Sequence, residues 1–288
     1  KVTNMEFMFD NCSKLNTVSL GANFKWVGAY GYLPTPSSSN IAGADGKWHA
    51  DSDGCAYAPK DVPSNKADTY RAAAPTWAGA TLSVSGDAKV GSTLRASATG
   101  TPAWANLSYQ WYRDGSAIDG AASETYACAP DDLGHALTCK ATEAAGKISG
   151  ALSSSPTASV GKGRLTPAVT LSGTKKNGND VVASISGLAS AGTNSITYKW
   201  ECSPVSDFSR NVQVMGETGN THPVSVGAGN YYRATATVTG NAYYDYDVAV
   251  SPAYGPYEKG DAAAPTVAVS GGNEWGATLT ATVSGLPK

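Results

Sequence analysis

Hydrophobic and polar residues alternate along Leu107–Gly115, a stretch that is centred on Trp111 and ends in Asp-Gly. Alternation with a period of two predicts a half-buried strand, and the Asp-Gly pair predicts a tight turn at its end. The pattern returns in Ile196–Cys202, where Trp200 takes the position of Trp111. A strand that recurs with its Trp in register predicts a β-domain that is repeated along the chain.

The region 75–161 is predicted to be the first complete copy of this domain. Turn residues such as Gly86-Asp87 and Asp131–Gly134 separate its β-prone segments. Six or seven short strands within about 85 residues are typical of a β-sandwich. The predicted strands are 77–85, 91–99, 107–113, 123–128, 135–143 and 147–158.

The region 162–262 repeats the same pattern. The alternation of Leu94–Ala98 is matched by Val181–Ile185, and a longer insertion, Ser203–Thr218, follows the Trp strand. Residues 263–288 begin a further copy that stops after two strands. Two strands cannot close a core, so we expect this piece to fray or to dock on its neighbour.

The region 1–74 has a different pattern. Met5, Met8 and Phe9 have the spacing of a helical turn, and they lead through Cys12 and Leu15 to a short predicted strand, Val18–Leu20. One helical turn and one strand in roughly 20–29 residues make up the leucine-rich-repeat unit. A lone repeat cannot bury its own apolar face, so this one is predicted to be a C-terminal cap.

These first residues resemble the BspA-like leucine-rich-repeat surface proteins of bacteria. The resemblance begins in Thr3-Asn4-Met5, Met8-Phe9, Cys12 and Leu15. It continues into segments similar to that family's last repeat and exit segment: Leu20-Gly21, Asn23-Phe24, Leu33–Pro36, Gly46–Trp48, Asp53-Gly54, Tyr57–Pro59 and Ala67–Tyr70. It implies a leucine-rich-repeat C-terminal repeat and exit segment over residues 1–74, with a concave binding face.

The repeated β-domains resemble the tandem immunoglobulin-like repeats of bacterial surface proteins. The resemblance lies in Tyr109–Trp111, Asp114-Gly115, Thr125-Tyr126 and Asp132–Gly134. They depart from antibody-type domains, because no Cys stands on the second strand at Leu94–Ala98.

The expected fold is therefore mainly β. A leucine-rich-repeat C-terminal cap (1–74) is followed by two immunoglobulin-like β-sandwiches (75–161 and 162–262) and by the first strands of a truncated third (263–288).

Composition agrees with this fold class and excludes several functions. The chain has 32 Gly, 15 Pro and 15 Tyr among its 288 residues, which favours many short strands and turns. The formal net charge of −2 and the lack of a basic block argue against nucleic-acid binding. No apolar run is long enough to span a membrane, so we expect no direct membrane insertion in this segment.

The five cysteines are an odd number, so at least one of them is unpaired within the chain. Cys128 and Cys139 are predicted to face inward from opposite sheets, where a disulfide across the core would suit a secreted domain. The alternative is that both are small buried hydrophobic residues. Cys12 is expected to be a buried repeat residue. Cys55 and Cys202 are expected to be free, with a bridge between them as the other possibility.

No catalytic or metal-binding constellation is evident. Asp51–Gly54 has the spacing of the start of a calcium loop but lacks the later acidic ligands, so a hairpin turn is the better interpretation. His49, His135 and His222 lie far from one another and have no paired carboxylate nearby in the sequence. We therefore expect no enzymatic activity, no metal and no cofactor.

The region Asn241–Asp247 contains Tyr243, Tyr244 and Tyr246, at the point where the last hairpin of the second sandwich should turn. Exposed tyrosines there would stack on sugar rings and hydrogen-bond their hydroxyls. The alternative is that they pack inward or cover the domain junction.

The pattern and the resemblance together predict a non-catalytic segment of a secreted, cell-surface adhesin. The sandwiches would form a semi-rigid stalk that projects the leucine-rich face from a bacterial envelope. Its partner would be a host or bacterial surface protein or a glycan, and the chain would be a monomer. An alternative is a carbohydrate-binding module of a larger surface protein or enzyme that uses the Tyr-rich loop.

Overall fold

The computed structural model describes residues 2–225, 227–260, 266–272 and 274–284, and it is mainly β. The chain divides into two compact units, and the boundary between them in the sequence lies between Gly161 and Lys162. The first unit contains a small β-domain within residues 2–74, called the first domain here, and one sandwich, called sandwich 1. The second unit contains another sandwich, called sandwich 2, and a separate hairpin.

The first domain is a four-stranded antiparallel sheet in the order β1-β4-β2-β3. Its core consists of buried apolar side chains that include Leu33, Trp48 and Tyr70. The Trp48 indole donates its N–H to the Pro34 carbonyl at 2.9 Å, which satisfies the one polar atom of this fully buried ring. The strands are β1 (Thr17–Leu20), β2 (Ala44–Ala50), β3 (Ala56–Tyr57) and β4 (Asp68–Ala73), with a 3₁₀ helix at Pro59–Asp61.

The predicted helical turn at the start of the first domain does not form. The chain instead makes successive i→i+3 turns, in which the Asp10 N–H donates to the Phe7 carbonyl. Phe7 and Asn11 have φ angles of +55° and +60°, and such left-handed backbone interrupts a right-handed helix. Cys12 is exposed, not buried as expected.

The strand β1 lies where the sequence predicts it. Its described partner is β4, the last strand of the same domain. In a leucine-rich repeat, strands of successive repeats stack side by side. The described strands of the first domain form one antiparallel sheet, and the leucine-rich-repeat relation stays a prediction.

Sandwich 1 packs a three-stranded sheet, β5-β6-β9, against a four-stranded sheet, β11-β10-β7-β8. Alternation in β10 buries Leu137, Cys139 and Ala141, and the Trp111 ring stacks on Tyr126 across the sheets with centroids 5.6 Å apart. The strands are β5 (Thr81–Ser85), β6 (Thr93–Thr99), β7 (Leu107–Arg113), β8 (Ser116–Ala117), β9 (Thr125–Ala127), β10 (Leu137–Glu143) and β11 (Leu152–Ser153), with a 3₁₀ helix at Pro130–Asp132.

Sandwich 2 repeats this architecture with the sheets β13-β14-β17 and β16-β15-β18-β20, and a parallel pair, β12-β19, lies beside them. Trp200 is fully buried and packs in one cluster with Val181, Tyr232 and Tyr257. The strands are β12 (Gly163–Leu165), β13 (Ala168–Gly173), β14 (Asp180–Ser186), β15 (Ser195–Ser203), β16 (Gln213–Val214), β17 (Thr221–Pro223), β18 (Tyr231–Thr239), β19 (Tyr244–Tyr246) and β20 (Ala249–Val250).

A two-stranded hairpin of β21 (Thr266–Gly271) and β22 (Leu279–Ser284) stands where the further copy was predicted. Its paired residues Val267 and Val283 are exposed, as are the other described residues of both strands. The predicted start of this copy at 263–265 and its end at 285–288 lie outside the described residues.

Candidate functional site

The Tyr-rich loop is held in place by Asn241, whose side chain is buried. Its Oδ1 accepts the backbone N–H groups of Tyr243 and Tyr244, each at 2.9 Å. Its Nδ2 donates to the Ala191 carbonyl at 2.9 Å and to Asn194 Oδ1 at 3.0 Å. One amide therefore ties the turn that carries the tyrosines to the neighbouring loop.

The three tyrosines of the predicted ligand site lie on or beside β19, and all three are half-buried. The Tyr246 hydroxyl accepts the Ala189 N–H at 3.0 Å and donates to Asn194 Oδ1 at 2.9 Å, so its polar atom is engaged inside the domain. Ligand binding by Tyr243 and Tyr244 stays a prediction.

The acidic residues of this loop are paired with cations. Arg164 Nε donates to Asp247 Oδ1 at 2.7 Å, and Lys162 lies 3.7 Å from Asp245. The hydrogen bond from Arg164 lowers the pKa of Asp247, and a second bond from the Thr166 hydroxyl acts in the same direction. These ion pairs therefore link residues at β12 to residues at β19 and stabilise the pairing of the two strands.

Cys128 and Cys139 are both free, buried thiols, so the structure lacks the disulfide that the sequence predicted between them. Trp111 lies opposite Cys139 in the paired strands, and its ring stacks on Tyr126 of the other sheet. These rings fill the space between the sheets beside Cys139. Burial raises the pKa of Cys139 to about 11 and also raises the pKa of Cys128, so both thiols are unreactive at neutral pH.

Asp51–Gly54 forms the predicted hairpin turn between β2 and β3. Both of its carboxylates have protein cations as partners: Asp51 accepts from Arg71 Nε at 2.8 Å, and Asp53 accepts from Lys66 Nζ at 2.8 Å. Burial acts to raise the pKa of Asp53, but the Lys66 hydrogen bond and others outweigh it and lower the pKa. In the described part of the chain, no group of three or more His, Cys, Asp or Glu is placed to hold a metal ion.

A contact between the first domain and sandwich 1 uses this same turn. The Trp104 ring lies so close to Gly54 that a Cβ there would be 2.4 Å from Trp104 Cη2. Lys147 Nζ lies 5.5 Å from the centre of the Trp104 ring and donates to the Asp53 carbonyl at 2.7 Å. Sequence reasoning missed these residues, because none of them belongs to a local motif.

Each of the three histidines contacts a carboxylate, which the sequence analysis did not anticipate. His49 Nε2 lies 3.0 Å from Asp45, and buried His222 Nδ1 lies 2.9 Å from Glu217. Exposed His135 lies 2.6 Å from Asp114, and this hydrogen bond lowers the pKa of Asp114. The available signal was the short spacing of two of these pairs, four residues between Asp45 and His49 and five between Glu217 and His222.

A second aromatic group lies on the first domain, in a region that the sequence did not mark as a site. Phe7, Tyr30 and Tyr32 are exposed and line a cavity of about 180 Å³ with Phe9 and Asp10. The Phe7 and Tyr30 rings stack with centroids 5.5 Å apart, and Tyr32 meets Tyr30 edge-on at 6.5 Å. We call this group the aromatic cavity. Aromatic side chains flank the glycine in Tyr30-Gly31-Tyr32, but no recognised motif marks them.

No family model matches the chain, and no curated protein matches it. No helix among the described residues is long and apolar enough to cross a membrane.

Solved structures of tandem β-domains are similar to the chain. One contains the three N-terminal domains of the highly immunogenic outer capsid protein of bacteriophage RB49, at 13% identity and a TM-score of 0.26, over 73% of this chain and 71% of that one. Another is the Ig1–Ig3 ectodomain of mouse nectin-like molecule 4, at 14% identity and a TM-score of 0.26, over 68% and 71%. A third is the FN1–FN3 segment of chicken CNTN1, at 14% identity and a TM-score of 0.26, over 67% and 72%. These neighbours have immunoglobulin-like or fibronectin-like tandem domains, and TM-scores this low carry no inference about function.

Proposed function

We propose that this chain is a non-catalytic segment of a secreted surface protein of the adhesion type. In this proposal the first domain carries the binding surface, and the sandwiches support it. The observation that carries the proposal is the contact of Trp104 and Lys147 with the Asp53-Gly54 turn. It fixes the first domain on sandwich 1, which limits the orientational freedom that binding would otherwise have to remove.

The distribution of exposed aromatic residues supports the same division of roles. Phe7, Tyr30 and Tyr32 of the first domain are 42–64% exposed. Trp111 and Trp200 are fully buried in the sandwiches, where they hold the two sheets together. Exposed aromatic residues are enriched at binding surfaces, whereas buried ones stabilise the fold.

Display of the full chain on the surface of a non-adherent bacterium tests the proposal. Cells that carry the chain should attach to wells coated with matrix proteins or surface glycans, and soluble chain should compete with them for attachment. Attachment no greater than that of cells displaying an unrelated β-sandwich protein, on every coating, would contradict the proposal.

A further inference from the structure

The aromatic cavity has a defined shape because the backbone around it is packed closely. Gly31 is buried, and a Cβ there would lie 2.6 Å from the Val27 carbonyl oxygen and 3.2 Å from the Met5 Cβ. The Met5 N–H also donates to the Val27 carbonyl at 2.9 Å. This close approach fixes the two residues on either side of Gly31, Tyr30 and Tyr32, at the edge of the cavity.

Phe7 completes the wall at an energetic cost. A φ of +55° is unfavourable for a bulky residue, by roughly 1–2 kcal/mol. The strained residue does not bury its ring, which is 64% exposed and stacks on Tyr30. Burial of Phe7 therefore does not account for this conformation, which leaves the ring beside Tyr30 at the cavity.

Asp10 brings a carboxylate to the cavity. The other five aspartates of the first domain lie within salt-bridge distance of a Lys, Arg or His, and they are Asp45, Asp51, Asp53, Asp61 and Asp68. Asp10 has no such partner among the described residues, and its contact is the Asn11 amide at 3.4 Å. The cavity therefore combines aromatic faces with a carboxylate that pairs with no cation in the described part of the chain.

This combination selects a particular ligand chemistry. The face of an aromatic ring is electrostatically negative and attracts cations, and a desolvated cation in contact with several rings gains the most. A primary ammonium is strongly hydrated, whereas a quaternary ammonium presents methyl groups that fit aromatic walls. The volume of about 180 Å³ suits such a head group rather than an extended chain.

We propose that the aromatic cavity binds a quaternary ammonium group, with Phe7, Tyr30 and Tyr32 around the methyl groups and Asp10 beside the charge. The group could be presented by a choline-bearing surface or by a trimethylated lysine of a protein. This inference rests on the proposed function in one respect, because both place binding on the first domain.

The test is a titration of the full chain with choline, followed by calorimetry or by NMR. The matched probe is 3,3-dimethyl-1-butanol, which replaces the nitrogen of choline with carbon and carries no charge. Choline should give saturable binding that is at least about tenfold tighter than that of the neutral probe, and tetramethylammonium should compete with it. Equal binding of the two probes, or no saturable binding of choline, would overturn the proposal.

Variants locate the site. Asp10→Asn keeps the shape of the side chain and should weaken choline binding about tenfold, as should Tyr30→Leu, which removes a ring but leaves an exposed apolar side chain. Tyr243→Leu, in the Tyr-rich loop, is the matched control and should leave choline binding unchanged. Unaltered binding in both Asp10→Asn and Tyr30→Leu would place the site elsewhere and overturn the proposal.

Two further probes identify the source of the group. Vesicles of phosphatidylcholine test a lipid surface, and a trimethyllysine peptide beside its unmethylated form tests a protein. Binding of a neutral hexose at this cavity without binding of choline would contradict the ammonium assignment. If choline fails to bind while displayed cells still attach, this inference fails alone. If choline binds and cells do not attach, the proposed function fails alone.

Discussion

The contact between Trp104 and Gly54 allows the docking of the first domain on sandwich 1 to be tested by a single methyl group. In Gly54→Ala the new Cβ would lie 2.4, 2.5 and 2.7 Å from three atoms of the Trp104 ring, so the ring must move away. Gly54 also has a φ of +64°, which disfavours any residue with a Cβ. The substitution therefore combines backbone strain with loss of the contact.

The two contributions can be separated by a control. Gly120→Ala in sandwich 1 has a similar φ of +72°, but nothing lies within 4 Å of its Cβ. Strain of about 1–2 kcal/mol, partly offset by reduced freedom of the unfolded chain, applies to both variants. Gly54→Ala should lose about 1 kcal/mol more from re-exposed area of half-buried Trp104. It should lose about another 1 kcal/mol from the cation–π contact with Lys147.

Hydrogen–deuterium exchange measures this difference locally. The Ala105 N–H donates to the Pro102 carbonyl at 2.9 Å and reports the opening of the loop that holds Trp104. An extra loss of about 2 kcal/mol should speed its exchange about thirtyfold relative to Gly120→Ala. In a Trp104→Ala background the extra effect of Gly54→Ala should disappear. Equal exchange in the two glycine variants, or an extra effect that persists without Trp104, would show that Trp104 does not pack on Gly54.

Four other expectations follow from buried polar groups, from the thiols and from one ion pair. Asp132→Ala should destabilise sandwich 1 by about 3 kcal/mol in chemical denaturation, because this fully buried carboxylate pairs with a guanidinium and a phenol that would lose their partner; a loss below 1 kcal/mol would contradict this. Asn241→Ala should destabilise sandwich 2 by about 2–3 kcal/mol, because two backbone N–H groups lose their acceptor, and an unchanged denaturation midpoint would refute it. Thiol titration should find five free thiols in denaturant, with Cys139 protected in the native chain by burial and by a pKa of about 11; three thiols in denaturant would restore the disulfide. The lowered pKa of Asp53 stabilises the native state above the ordinary value of 3.8, and this stabilisation is lost as the pH falls through the lower folded pKa. The thermal unfolding temperature of the first domain should therefore decrease as the pH is lowered below about 4. In Lys66→Met this temperature should depend less steeply on pH.

The strands of the sandwiches were largely predictable because burial on one face imposes alternation. The strand β7, Leu107–Arg113, has the predicted bounds, and the Trp at its centre lies in the core. The predicted strand 147–158 is reduced to β11, Leu152–Ser153. Gly150 interrupts it with a φ of +80°, and Pro156 has no N–H to donate to a ladder.

The first domain was less predictable because distant segments decide its local structure. The spacing of Met5, Met8 and Phe9 suits a helix, but packing of this segment against Val27 and Gly31 selects turns instead. Long-range pairing often overrides a short local pattern.

The candidate sites show the same limit. Half-burial of the Tyr-rich loop depends on Asn241 and on a loop about fifty residues earlier, which no local pattern reveals. The aromatic cavity likewise joins Phe7 to Tyr30 and Tyr32, and only their placement in space brings them together.

A comparison of variants in the first domain and in sandwich 2 shows which part of the chain binds. The full chain is applied to an array of matrix proteins, surface glycans and choline-bearing surfaces beside the variants Tyr30→Ala and Tyr243→Ala. We expect saturable binding that Tyr30→Ala weakens at least about tenfold and Tyr243→Ala preserves. Binding that Tyr243→Ala abolishes and Tyr30→Ala preserves would contradict the account and would favour a glycan-binding role for the Tyr-rich loop.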